Sequence, residues 1–371
     1  MTGARTVLYA HSSAGGYGAD RQLALIAGGL DRTRYRALVV LATEGPLVGE
    51  LRAAGVETWV EPLAVLRRAE LSVPGLARLA RRLAATAALA QGRRFDLVHS
   101  NTSVTLSGAL AARRAGVPHV WHVREIYTER AWPLYRRLLL SAAALPCVSG
   151  AVRAQFPAAQ TRARVLFDGL PPSAGGAAPA PRPATAAAPL VCLVLGRLSA
   201  WKGQDVLLRA LARVPEAVAV VAGDAWPGQE HHERALRRLA GDLGVAERVR
   251  FPGFVADPRD LYASADVVVV PSTRPDPLPN AALEAAAAGC CVVASRHGGL
   301  PEIVRDGESG LLVAPGDPVA LARALGRLAA DRPLGRRLGA AAAVDVRRRF
   351  APARLLSAVQ GLYDELLVAR E

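Results

Sequence analysis

Short runs of β-branched and leucine residues alternate along this chain with longer helix-period stretches, and one proline- and alanine-rich interruption splits the alternation in two. The runs of the first part are Thr6–His11, Arg36–Ala42, Glu57–Val60, Leu97–Ser100, His119–His122 and Leu145–Val148. Between several of them lie helical patterns; in Val73–Ala90 apolar residues recur every three to four positions. Such alternation implies parallel βαβ units with helices on both faces of each sheet. Residues 171–189 (PPSAGGAAPAPRPATAAAP) hold six prolines, eight alanines and one charge, the composition of a linker. The alternation then restarts, with strands expected at Leu190–Gly196, Ala217–Ala222, Arg248–Phe251, Asp266–Val270 and Cys291–Ala294. Helices are expected between them at Gln204–Arg213, Glu230–Leu243 and Asn280–Ala288. The predicted fold class is α/β: two Rossmann-like, doubly wound parallel-sheet domains facing across a cleft. Residues 1–172 form the first domain, 173–189 the linker, 190–351 the second domain, and 352–371 a C-terminal helix packing back on the first. Ligands of such sheets bind at the carboxyl-edge loops.

Composition narrows the class. The chain has 371 residues, 51% of them hydrophobic and only 5% aromatic, so the cores must be aliphatic and alanine-rich. Met1 to His11 reads as a strand rather than a signal peptide. No apolar run approaches the roughly 20 residues of a membrane span. The expectation is a soluble or peripheral, cytoplasmic protein. Cys147, Cys192, Cys290 and Cys291 show no CxxC spacing and read as buried small hydrophobes. The net charge is +14, and residues 1–172 supply most of it, with 22 arginines against 11 acidic residues. That excess is either an arginine bias on solvated helix faces or an attraction to an anionic partner, such as the inner face of the plasma membrane. The only lysine is Lys202. Ammonium and guanidinium are not interchangeable, and the neighbours of Lys202 give the exception a meaning.

Three stretches bear on chemistry. The first is Ser12-Ser13-Ala14-Gly15-Gly16-Tyr17-Gly18-Ala19-Asp20, a glycine loop between a strand and a helix. It suits a dinucleotide poorly, because Arg21 stands where the fingerprint has its third small residue. A tight turn without a ligand, or a loop facing a donor phosphate or acceptor, remain open. The second runs from Leu195 to Gln204: Arg197 follows a strand and Lys202 opens the next helix, so the two cations beside backbone N–H groups form either a diphosphate cradle, which the lone lysine favours, or simply two surface cations at a loop. The third runs from Pro275 to Ala286, where Asp276 lies in a proline-rich loop and Glu284, one turn beyond Asn280, lies on the following helix. A carboxylate there accepts hydrogen bonds from ribose hydroxyls. Glu230-His231-His232-Glu233 reads as a solvated helix start, since adjacent histidines point to different faces. His99 and His119 read as strand histidines satisfied in the core, and Arg347–Arg349 as a charged helix end.

With these residues the chain resembles the retaining glycosyltransferases of family 4, which have the GT-B fold. The glycine loop resembles that family's first loop. Arg197 and Lys202 match its pyrophosphate pair, Asp276 and Glu284 its E-x7-E signature, and Gly298-Gly299-Leu300-Pro301-Glu302 with Gly307–Leu312 its closing segment. His122 matches the N-domain histidine near the donor sugar. The resemblance implies retaining transfer from a nucleotide-diphosphate sugar to a glycan, lipid-linked or small-molecule acceptor. It implies no cofactor and no essential metal, and the sequence contains no Asp-x-Asp. Arg197, Lys202, His122 and Asp276 would form the catalytic set. Gly15 and Gly16 would face the donor, Glu284 with Leu283 beside it would meet the ribose, backbone near Leu278 the sugar, and backbone near Phe254–Val255 the base. The chain departs from the family where Asp276 replaces Glu and Leu278-Pro279 replaces Phe-Gly; Asp is one methylene shorter and Pro279 lacks an N–H.

Two other classes compete. A sugar-nucleotide epimerase or phosphorylase shares the fold and the phosphate chemistry, and turnover of donor alone distinguishes an epimerase. A non-catalytic basic protein binding membrane or nucleic acid explains the charge but not the paired motifs. Nucleic acid is disfavoured because no basic stripe is interleaved with aromatics.

Overall fold

The computed structural model describes residues 3–66, 70, 72–90, 94–127, 132–159, 161–170, 188–226 and 228–368. Most of the stretch 173–189, expected as a linker, lies outside the described residues. The chain forms two units: Met1–Gly169 with Pro352–Glu371, and Leu170–Ala351.

In the first unit, β1 (Arg5–His11), β2 (Tyr35–Leu41), β3 (Glu57–Val60), β4 (Leu97–Ser100) and β5 (His119–Trp121) form a parallel sheet in the order β3-β2-β1-β4-β5. The central strand β1 is apolar and buried at every position from Val7 to Ala10. Successive residues of a strand face opposite sides of the sheet. Val7 and Tyr9 join a core with Leu23 and Ile26 of α1 (Gly18–Gly29) and Leu47 and Leu51 of α2 (Pro46–Ala53). Leu8 and Ala10 join a second core with Leu38, Val40 and Ala111 of α4 (Leu106–Ala115); α3 (Val73–Ala90) packs against α4. Two short strands, β6 (Leu145–Cys147) and β7 (Ala163–Val165), pair with each other. Between β5 and β7 lie α5 (Trp132–Leu139) and α6 (Gly150–Arg153).

The second unit repeats the plan. Its strands are β8 (Leu190–Leu195), β9 (Ala217–Ala222), β10 (Val249–Gly253), β11 (Val267–Val270), β12 (Cys291–Ser295) and β13 (Leu311–Val313). They run parallel in the order β10-β9-β8-β11-β12-β13. Its helices are α7 (Gln204–Leu211), α8 (His231–Asp242), α9 (Arg259–Ser264), α10 (Asn280–Ala287), α11 (Leu300–Ile303), α12 (Pro318–Ala330) and α13 (Arg332–Arg349). In both units the strand order reverses beside the first strand. At such a switch point the loops diverge and leave room for a ligand outside the carboxyl edge.

The last helix, α14 (Pro352–Val368), returns to the first unit and buries Leu355, Val359, Leu362 and Tyr363 in its core. Asp364 on α14 accepts hydrogen bonds from Arg34 at 2.6 Å and from the Tyr35 hydroxyl at 2.6 Å.

All four cysteines are free and buried, and burial pushes each thiol up to about 12. Among the described residues no helix is long and apolar enough to cross a membrane.

Candidate active site

Arg197, Lys202 and Asp276 all follow strands at the carboxyl edge of the second sheet, and Lys202 and Asp276 are in direct contact. After β8 the chain turns through Gly196 to Arg197, whose guanidinium carbon lies 3.4 Å from the ring centroid of Trp226 in the loop after β9. Trp226 is 51% exposed, so the cation is stacked on a solvent-facing aromatic plane. A single turn of tighter helix, Ala200–Lys202, then leads into α7 through Gly203, which has φ +72°. A Cβ at Gly203 would stand 2.0 Å from the Pro271 carbonyl oxygen, so glycine lets this turn press against the loop after β11. The Thr273 N–H donates to the Trp201 carbonyl at 2.7 Å and seals the contact.

That contact sets the pair at the centre of the site. Lys202 Nζ donates to Asp276 Oδ2 at 2.6 Å across 74 residues of chain, with the lysine side chain 24% and the aspartate 6% exposed. Lys202 Nζ also lies 4.3 Å from the Trp201 ring centroid. The Ser272 hydroxyl donates to the same carboxylate oxygen at 3.4 Å. Beneath the loop, the Gly299 N–H donates to the Asp276 carbonyl at 2.8 Å. A Cβ on Gly298 would fall 2.2 Å from that carbonyl oxygen, and one on Gly299 2.0 Å from the Pro277 carbonyl oxygen. The Gly298-Gly299 motif thus works by backbone approach: only two residues without side chains fit under the Asp276 loop. His297 Nε2 lies 2.7 Å from the Ser272 carbonyl and ties the two loops together.

Glu284 stands on α10 and is buried, its Oε2 accepting from the Tyr262 hydroxyl at 3.0 Å. Leu278 and Leu283, both expected to meet the donor, are core side chains, 6% and 1% exposed. Any ligand contact there would have to come from backbone. Phe254, just beyond β10, is 53% exposed.

Gly15, Gly16 and His122 lie in the first unit, at the carboxyl ends of β1 and β5. Gly16 takes φ +81° in the turn before α1. Under that turn Asp20 accepts from the Ser13 hydroxyl at 2.6 Å, from the Tyr17 N–H at 3.0 Å and pairs with His11 Nε2 at 2.6 Å. Burial works against its ionisation, but the His11 bond and these donors outweigh it and hold the carboxyl below its ordinary range. A His–Asp pair invites a general-base role. Here the geometry works against one: His11 is fully buried, and its other nitrogen, Nδ1, lies 3.2 Å from the Asn101 side-chain amide. Both ring nitrogens are engaged. Arg124 donates to the Asn101 carbonyl at 2.9 Å and to Asp168 at 2.5 Å, extending the network.

His122 is fully buried, and neither of its ring nitrogens has a hydrogen-bond partner among the described residues. Its ring stacks on His99 at 5.4 Å between centroids. His99 is held through Nδ1 by the Tyr363 hydroxyl at 2.5 Å, which in turn meets the Tyr9 hydroxyl at 2.9 Å. Burial, with Arg124 nearby, pushes both imidazoles well below the usual histidine range. His119 pairs with the Ser100 hydroxyl at 2.9 Å, and burial lowers it to about 3.

His231 and His232, expected to diverge, instead bring their rings within 4.2 Å at the exposed start of α8. Flexible side chains at a helix start can lean together where no packing holds them apart. Among the described residues no group of three or more His, Cys, Asp or Glu side chains is placed to hold a metal ion.

Known proteins place this architecture. A family model described as "Glycosyltransferase Family 4" matches residues 16–170, and one described as "Glycosyl transferases group 1" matches residues 189–331. Anabaena HepE, solved with UDP and glucose, is 26% identical with a TM-score of 0.82, covering 97% of this chain and 99% of that one. Sucrose-phosphate synthase from Thermosynechococcus elongatus shares the fold at 22% identity, with a TM-score of 0.76 over 98% of this chain and 100% of that one. Two parallel-sheet units, each with helices between its strands, define a GT-B protein. Within that class the chain belongs to the group 1/family 4 glycosyltransferases. Among curated relatives, the lipopolysaccharide core biosynthesis glycosyltransferase LpsE of Rhizobium meliloti is 42% identical over 148 residues, 40% of this chain and 42% of that protein. The D-inositol 3-phosphate glycosyltransferase of Streptomyces bingchenggensis is 37% identical over 220 residues, 56% of this chain and 44% of that protein. The chain thus spans less than half the length of these two relatives.

Proposed function

We propose that this protein is a retaining, metal-independent glycosyltransferase using a uridine-diphosphate sugar. The observation that supports it most is the Lys202–Asp276 contact at 2.6 Å, which unites the two motifs of the second unit on one rim. An ammonium has three donors, and aiming one at Asp276 orients the group without consuming it. As the C1–O bond to the diphosphate breaks, its electron pair goes to the phosphate oxygen. Arg197 and Lys202 stabilise that growing charge. The acceptor oxygen bonds to C1 on the same face and gives its proton to the leaving phosphate. His122, with both nitrogens buried and unpartnered among the described residues, is not assigned as the base. Uridine is preferred because HepE was solved with UDP. The acceptor class is a glycan, lipid-linked saccharide or small molecule.

Two measurements test this. NMR of product formed from an α-linked donor is expected to show an α-linkage; a β-linked product overturns the retaining assignment. Activity is expected to persist in EDTA, because two side-chain cations supply the charge a metal would. Loss on chelation with recovery on adding Mg²⁺ or Mn²⁺ overturns that part. A thermal-shift screen of UDP-, GDP-, ADP- and dTDP-linked donors checks the base; a ligand at a hundred times its Kd stabilises by about 2.7 kcal/mol.

The basic charge of the first unit supports a further element of the proposal, contact with anionic membrane. Helix α3 exposes Val73, Leu76 and Arg81, while Arg78 pairs with Glu70 at 3.4 Å. Sedimentation with liposomes at low salt is expected to rise with anionic lipid content, and a flat response removes this element.

A further inference from the structure

We infer that Tyr262 is the positioning residue that presets Glu284 for the ribose of the nucleotide. The inference rests on the reading of Glu284 as the ribose ligand. Glu284 lies on an alanine-rich helix and is 6% exposed, in surroundings that offer a carboxylate little water. A buried charge needs hydrogen-bond donors. Tyr262 gives one, its hydroxyl donating to Oε2 at 3.0 Å inside the protein. Tyr262 is itself 5% exposed.

The backbone of Tyr262 is fixed as firmly as its ring. Its N–H donates to the Pro258 carbonyl at 3.0 Å, and its carbonyl accepts from the Ala265 N–H at 3.3 Å and from Cys290 Sγ at 3.3 Å. Cys290 lies just beyond the end of α10, so α9 and α10 are tied at two points: Tyr262 to Glu284, and Cys290 to Tyr262. The phenol therefore comes from a rigid support. Glutamate has three side-chain torsions, and ordering them on binding opposes affinity. A donor already holding Oε2 leaves the carboxylate pointed before the nucleotide arrives, so ribose hydroxyls meet an oriented acceptor.

The test compares UDP with 2′,3′-dideoxy-UDP. In the unaltered protein UDP is expected to bind more tightly, and the ratio of the two affinities reports the hydroxyl contact. Tyr262→Phe keeps the ring and its packing and removes only the donor. It is expected to weaken UDP about 5–10-fold, the scale of one lost hydrogen bond, while changing dideoxy-UDP and inorganic pyrophosphate less than about 2-fold. KM for the donor should rise more than kcat falls. Unchanged pyrophosphate binding reports a folded rim, and general damage would weaken all three ligands alike. Glu284→Gln separates the two layers of the argument. If it leaves the UDP to dideoxy-UDP ratio intact, Glu284 is not the ribose ligand. If Glu284→Gln collapses the ratio and Tyr262→Phe leaves it unchanged, the ribose reading stands and the positioning role of Tyr262 is overturned. A uniform loss across all three ligands in Tyr262→Phe overturns it as well.

Discussion

Replacing Lys202 by alanine is expected to lower turnover about 10²–10³-fold and to weaken donor binding much less. The asymmetry follows from when the charge appears. A bound diphosphate already carries negative charge, but the bridging oxygen gains its share only as the glycosidic bond breaks. A fixed cation there acts more on the transition state than on the bound donor. The structure adds a control. Asp276 is 4% exposed and is paired with Lys202, so the alanine variant also strands a buried carboxylate. Stranding one member of such a pair destabilises by itself. The double variant Lys202→Ala/Asp276→Asn removes that charge. It is expected to recover thermal stability while turnover stays low. Recovery of turnover in the double variant means that Lys202 serves only as a counter-ion to Asp276, and the leaving-group role is then lost.

Acid is expected to destabilise the first unit steeply between pH 6.5 and 5. His99, His119 and His122 are buried there, and burial lowers all three, His119 to about 3. The unfolded chain takes up their protons near pH 6.5, whereas the folded unit does not. The unfolded state therefore binds more protons in this window, so stability is full above it and falls as pH falls. Each imidazole contributes a slope of about 1.4 kcal/mol per pH unit. Glu125 and Asp168 act in the opposite sense, because burial raises both and the folded unit protonates them first. The net slope should lie between about 1.4 and 4 kcal/mol per pH unit, from one to three uncompensated protons. Calorimetry from pH 7 to 5 checks it, and a flat midpoint shows that the imidazoles are accessible to protons in the folded protein. His99, His119 and His122 all belong to the first unit, so the lower transition should belong to that unit.

The inner strands were legible because they bury both faces and read as largely apolar runs, as Ala217–Ala222 does; the more polar Glu57–Val60 and Leu97–Ser100 also coincide with observed strands. The short strands β7 and β13 were not. Three residues are too few to show a period, and their pairing is decided by neighbours distant in sequence. The same limit applies to the sites. Glycine spacing and the cation and carboxylate motifs stand out locally. The Lys202–Asp276 contact depends on two loops pressed together at Gly203, and no local pattern states it. His11, Asn101, Arg124 and Asp168 escaped notice because each comes from a different strand end, and only the sheet order makes them neighbours. Trp226 and Tyr262 escaped because an isolated aromatic residue ordinarily reads as core.

The return of α14 to the first unit bears on the order in which the chain can fold as it is made. A ribosome adds about 5–20 residues per second, and domains fold as their segments emerge. The second unit is continuous and can close as soon as Ala351 is out. The first unit, although begun earlier, lacks Leu355, Val359, Leu362 and Tyr363 until after the whole second unit has been made. Until then Tyr9 and His99 have no Tyr363 to meet, and the apolar seat of α14 stays open. The unit translated first is therefore completed last, and a nascent chain stalled anywhere before Tyr363 would expose the unfilled core of its earlier half.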